Sequence, residues 1–172
     1  MGRLFRKQKE PWGEFLVKAW ALASVLLVIA LFTARYHFAF DSQEDRCLPD
    51  YRFYLIDKWD TKMVRHNLYA FRGEGVEPVF RDGQGMLKKL AGLPGDRVEI
   101  DNTEQILINN ELIATGLAAA EKLGQANSAF YGQGEIGPGR YWFTGETENS
   151  FDSRYWGTVS DDQIIGRAHP IF

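Results

Sequence analysis

Met86-Leu87-Lys88-Lys89-Leu90-Ala91-Gly92-Leu93-Pro94-Gly95-Asp96 is the stretch around which the rest of the chain is read. Its apolar run suits a β-strand, and Leu-Pro-Gly-Asp is a strong turn signal that ends it. Side chains alternate across a strand, so Lys88 and Lys89 must face opposite ways. One can point into a packed interior while the other stays in water. Burial penalises the charged form of an amine, so an inward lysine is suited to act as a general base near neutral pH.

Working outward, the flanking segments carry strand signals and little helix. Tyr51-Arg52-Phe53-Tyr54-Leu55-Ile56 is an aromatic, β-branched strand candidate, and Val64 to Phe71 contains a second, ending at Arg72-Gly73. Arg97-Val98-Glu99-Ile100 follows the Pro-Gly-Asp turn. Ile106 to Ile113 reads as a hairpin, because Asn109-Asn110 tolerate left-handed backbone. Leu117 to Leu123 is expected to be a short helix ended by Gly124, and the segment to Gly134 a loop. Tyr141 to Thr144 and Gln163 to Ala168 are further strands. The expected fold is mainly β.

The N-terminal part differs in kind. Arg3, Arg6, Lys7 and Lys9 precede an uncharged run from Ala19 to Ala34. Extended back to Trp12, with Lys18 snorkelling, the run reaches about 23 residues, enough for a hydrocarbon core of ~30 Å. A cleaved signal peptide needs small residues at positions -1 and -3, but Phe32 or His37 would occupy -3. A permanent anchor is therefore expected. Positive residues before the span and Asp41, Glu44 and Asp45 after it place the N-terminus in the cytoplasm. The domain reading is a basic cytoplasmic tail at 1-11, a transmembrane anchor at 12-34, a linker at 35-46 and an exported domain at 47-172. In a two-membrane bacterium that means a single pass through the inner membrane, with the domain in the periplasm.

Composition excludes several classes. With 172 residues, the chain suits one domain plus an appendage, and 14% aromatic residues can fill a substantial core. The net charge of -3 leaves no footprint for nucleic acid. Cys47 is the only cysteine, so no internal disulfide or cysteine-built metal site is expected. His37, His66 and His169 are scattered without ligand spacing, and neither metal nor cofactor is expected.

Two boxes resemble a known family. Lys88-Lys89-Leu90-Ala91-Gly92-Leu93-Pro94-Gly95-Asp96 is similar to the Lys-Arg-apolar-apolar-Gly-x-Pro-Gly-Asp box of bacterial signal peptidase I. Gly145 to Gly157 resembles that family's last box, Gly-Asp-Asn-x-x-x-Ser-x-Asp-Ser-Arg-x-Trp-Gly. Pro138-Gly139-Arg140-Tyr141-Trp142 resembles the strand leading into it. A small domain with one anchor is similar to the conjugative-transfer (TraF-type) branch, which matures pilin subunits. The resemblance implies a signal-peptidase-like, β-rich catalytic domain behind one transmembrane helix. It implies an endopeptidase that processes pilin precursors, or other exported proteins with a small-residue cleavage site. A general type I signal peptidase and an inactive pilus-assembly scaffold are the alternatives.

The same resemblance assigns roles. Lys88 is the base, Ser150 orients its amine, Asp152 and Arg154 form a structural ion pair, and Ser153 supports the site. The family's nucleophile motif in this branch is Ser-x-Pro, and here Cys47-Leu48-Pro49 stands in its place. Cys47 is therefore the expected nucleophile of a Cys47-Lys88 dyad. A thiol yields its proton far more readily than a hydroxyl, and its acyl intermediate is a thioester. Thioesters favour attack by amines, which opens a route to transpeptidation or pilin cyclisation. Two further departures stand out. Asp45 occupies the place of the family's second oxyanion donor, where an ionised carboxylate cannot donate, and Ser42 is the nearest hydroxyl upstream. Tyr51 stands where the branch tends to have Gly. The aromatics after Cys47, namely Tyr51, Phe53, Tyr54 and Trp59, suit either core packing or an apolar surface resting on the bilayer.

Overall fold

A computed structural model describes residues 11–43, 46–48 and 50–172. The chain divides into two units, 1–36 and 37–172. The first is helix α1, Trp12–Arg35, whose residues bury none of their side chains in protein. At 1.5 Å rise, 24 residues span about 36 Å, enough by length and composition to cross a membrane.

The second unit is mostly β. A seven-stranded sheet holds β1 (Tyr36–Phe40), β2 (Phe53–Asp57), β3 (Leu68–Arg72), β4 (Gly85–Gly92), β9 (Arg140–Thr144), β10 (Val159–Ser160) and β11 (Ile164–Pro170). Its order is β1-β2-β11-β3-β4-β9-β10. A four-stranded sheet holds β5 (Arg97–Ile100), β6 (Gln105–Ile108), β7 (Glu111–Thr115) and β8 (Gly132–Glu135) in the order β7-β6-β5-β8. One short helix, α2, covers Ser153–Trp156. Tyr69, Phe71, Leu90 and Phe143 make the main core of the large sheet. Val98, Ile106, Ile108 and Trp142 make the core of the small one.

The lysine strand follows the period-2 rule. Met86, Lys88 and Leu90 are buried, whereas Leu87 and Lys89 are half-buried on the other face. Its terminal turn is braced by Asp96. The Asp96 carboxylate accepts from the Leu93 N–H (2.6 Å), Arg65 (2.7 Å) and the Asn109 amide (2.7 Å). Asn109 and Asn110 both take positive φ, at 52° and 69°, and close the β6–β7 hairpin as their side chains allow.

Three expectations change in the structure. Part of the 35-46 linker is strand, because residues 36–40 form β1 beside β2. The helix expected over Leu117 to Leu123 shrinks to a 3₁₀ turn at Glu121–Leu123, closed by Gly124 at φ 64°. The loop expected up to Gly134 contains β8. Gly-Gln-Gly-Glu has almost no strand propensity, and it pairs because β5 offers an open edge. The second strand candidate holds β3, which runs from Leu68 to Arg72 and ends where expected.

Candidate functional site

β4 brings Lys88 to the centre of the domain. Its side chain is 3% exposed, and its Nζ donates to Ser150 Oγ at 3.0 Å. Ser150 is fully buried and belongs to the turn after β9, where its own N–H donates to the Thr147 carbonyl. The hydroxyl thus reaches Lys88 from a rigid position.

The rest of the last box holds that turn in place. Asp152 and Arg154 are buried together, with Arg154 Nε 2.8 Å and an Nη 2.9 Å from the carboxylate. Burial opposes the guanidinium charge, but the Asp152 hydrogen bonds and charge override it and raise its pKa above the ordinary value. Asp152 also accepts the Gly145 N–H at 3.0 Å. Arg154 donates to the carbonyls of Ser150 (3.0 Å) and Gly116 (2.9 Å), so one side chain ties the small sheet to the serine turn. Ser153 Oγ accepts the Phe143 N–H at 2.9 Å and fixes α2 against β9.

Cys47 is half-exposed and unpaired by any disulfide. Its carbonyl accepts the Glu146 N–H at 2.7 Å. Gly145 makes the close approach possible. A Cβ at this position would lie 2.6 Å from Ser150 Cβ and 3.1 Å from Cys47 Cβ. Glu146 also pairs with the outward-facing Lys89 at 2.9 Å. Neither Gly145 nor Glu146 was picked out from sequence as a site residue, although Gly145 opens the last box.

Cys47 and Lys88 line one cavity of about 320 Å³. Leu48, Ile56, Ala70 and Leu87 supply apolar lining, and Phe40 to Gln43 lie along it as well. Beside this cavity β4 has an open edge. β3 pairs with β4 from Gly85 to Lys89, whereas β9 pairs only from Lys89 onward. Among the described residues, Gly85 to Lys88 therefore have no strand partner on the β9 side. A larger cavity of about 470 Å³ surrounds Lys89 and Glu146 and contains neither Cys47 nor Lys88. No group of His, Cys, Asp and Glu suited to a metal occurs among the described residues.

Arg3, Arg6, Lys7, Lys9, Glu44, Asp45 and Pro49, all raised from sequence, lie outside the described residues. Ser42 is exposed and lines the Cys47 cavity. The aromatic cluster divides. Tyr54 is buried, Trp59 is 64% exposed, and Phe53 packs with tilted rings between Phe40 (4.7 Å) and Phe172 (4.6 Å) at the surface.

The chain matches the family described as signal peptidase, peptidase S26, over residues 11–172, and it belongs to that family. The conjugal transfer protein TraF of Agrobacterium fabrum is 34% identical over 88 residues, which cover 51% of this chain and 48% of that protein. The signal peptidase I of Pseudomonas fluorescens is 28% identical, with 50% of this chain and 42% of that one covered. The chain thus spans under half the length of these relatives. The signal peptidase I of Bacillus amyloliquefaciens is 32% identical over 171 residues, 94% of this chain and 83% of that one. A solved signal peptidase I from Enterococcus faecalis is 27% identical with a TM-score of 0.39, covering 62% of this chain and 96% of that one.

Proposed function

We propose that the protein is a membrane-anchored endopeptidase with a Cys47-Lys88 dyad, acting on pilin precursors in a conjugative transfer system. The observation that carries the catalytic reading is the buried Lys88 amine, held 3.0 Å from Ser150 Oγ and lining the same cavity as Cys47. The similarity to conjugal transfer proteins supports the pilin substrate. The apolar α1 supports the anchor, with the basic tail cytoplasmic and the β domain periplasmic, across the inner membrane.

The chemistry runs in two halves. An extended substrate adds to the open edge of β4 at Gly85 to Lys88, which supplies main-chain hydrogen bonds. Cys47 Sγ attacks the scissile carbonyl carbon while its proton passes to Lys88 Nζ. Only the neutral amine can take that proton. The carbon–nitrogen bond then breaks, and Lys88 returns the proton to the departing amine. A thioester remains on Cys47. Water attacks it, giving its proton to Lys88, and the thiol is restored. An amine in place of water yields a new peptide bond, and if that amine is the pilin's own N-terminus the product is a ring. Ser150 orients the Lys88 amine, while Asp152, Ser153 and Arg154 hold the serine turn. The Cys47 N–H stabilises the oxyanion.

The test is pilin processing in cells with Cys47→Ala, Cys47→Ser and Lys88→Ala, read by intact mass. Uncut precursor in both alanine variants supports the dyad, and a product lighter by one water than the linear form supports cyclisation. Normal processing by Cys47→Ala refutes the nucleophile. A general signal peptidase is the second reading, favoured by the near full-length similarity to the Bacillus amyloliquefaciens enzyme. Cleavage of unrelated exported precursors at comparable rates would select it.

A further inference from the structure

The cavity beside the open β4 edge is not uniformly apolar. Among the described residues that line it, Asp41 is the only carboxylate and Lys88 the only lysine or arginine. Lys88 is buried at the Cys47 end and hydrogen-bonded to Ser150. Asp41 is half-buried and uses Oδ1 to accept the Gln43 N–H at 3.0 Å. Its own N–H is fixed to the Arg52 carbonyl at 2.9 Å, so the carboxylate is held by backbone on a defined wall. It forms no ion pair among the described residues. His37, Gln43 and Gln84 lie along the same cavity and add polar lining. The field of Asp41 reaches into the cavity. Burial first, then this carboxylate, push the Tyr54 hydroxyl up to about 12.

From these observations we infer that Asp41 selects substrates carrying a lysine or arginine in the segment that precedes the cleaved bond. The inference rests on the peptidase reading above and names the substrate class of that same site. A strand added to Gly85–Lys88 rises ~3.3 Å per residue, so about four or five substrate residues fit along the open edge. Small apolar residues suit the lining made by Ile56, Ala70 and Leu87, and a long basic side chain can extend from that strand to the Asp41 wall. A glutamate at the same place meets a like charge in a partly desolvated cleft and is disfavoured. Gly85 adds room, since nothing lies within 4 Å of a Cβ built there.

The experiment uses the full chain in detergent micelles and a set of decapeptides with alanine at the first and third positions before the bond. The peptides differ only in carrying Lys, Ala or Glu at the second, fourth, fifth or sixth position. For a partly exposed pair, the lysine peptide at one of these positions should exceed its glutamate counterpart in kcat/KM by roughly fivefold or more. Asp41→Asn should remove that preference, and Asp41→Lys should reverse it. Equilibrium binding of the same peptides to the Cys47→Ala protein gives the preference independently of chemistry. Equal binding of lysine and glutamate peptides at all four positions, or a preference unchanged in Asp41→Lys, overturns the inference. Absence of cleavage by the unmodified chain with the binding preference intact would instead overturn the peptidase reading and leave the Asp41 assignment standing.

Discussion

Gly145→Ala is the sharpest perturbation of the proposed site, because it adds a single methyl where three segments meet. The added carbon would sit 2.6 Å from Ser150 Cβ and 3.1 Å from Cys47 Cβ. Carbon atoms are most stable about 3.5–4.0 Å apart, so the serine turn must retreat by ~1 Å. A Cβ cannot swing away as a long side chain can, and Ser150 is pinned by its own N–H and by Arg154. Overpacking of this kind costs about 1–3 kcal/mol of stability. A displacement of ~1 Å between reacting groups can cost ~10²-fold in rate. The expected result is a fall of about a hundredfold in kcat/KM on a pilin-derived peptide, with the domain still folded by circular dichroism. Gly134→Ala serves as a control, since nothing lies within 4 Å of its built Cβ. A Gly145→Ala protein that cleaves at the unmodified rate would refute the placement of Cys47 and Ser150 around this glycine.

Ser150→Ala should lower kcat by roughly twofold to tenfold, because a hydrogen bond to a neutral amine is worth about 0.5–1.5 kcal/mol; steady-state kinetics at unchanged peptide Kd checks it. Asp152→Ala leaves the Arg154 guanidinium buried without its carboxylate and should destabilise the domain by about 3–5 kcal/mol in urea melts. Asp96→Asn tests acid stability. Burial works against the Asp96 charge, but bonds from Leu93, Arg65 and Asn109 prevail and lower its pKa. A depressed folded-state pKa contributes stability that is present above the ordinary carboxylate range and lost as pH falls through the folded value. The unmodified domain should therefore lose stability below about pH 4, and Asp96→Asn should be less stable at pH 7 with a shallower acid limb. Parallel acid limbs for the two proteins would exclude Asp96 as a contributor.

Much of this molecule was legible in linear order because its decisive signals are local. The alternation of Met86, Leu87, Lys88 and Lys89 required one lysine to face inward, and Lys88 is the buried one. Asn109-Asn110 announced a hairpin, and the uncharged run from Ala19 to Ala34 announced a helix, because each depends only on neighbouring backbone and side-chain chemistry. Both family boxes are also local strings, so the residues around Lys88 and Ser150 were nameable before any contact was known. Tertiary structure alone decided what those strings touch. Gly-Gln-Gly-Glu became β8 because β5 had a free edge, which no local propensity encodes. Part of the linker became β1 for the same reason. The approach of Gly145 to Cys47 and Ser150, the ion pair of Lys89 with Glu146, and the reach of Arg154 to Gly116 join residues far apart in sequence. Such contacts are set by how two sheets pack, and packing depends on shape and burial summed over the whole domain rather than on any one stretch.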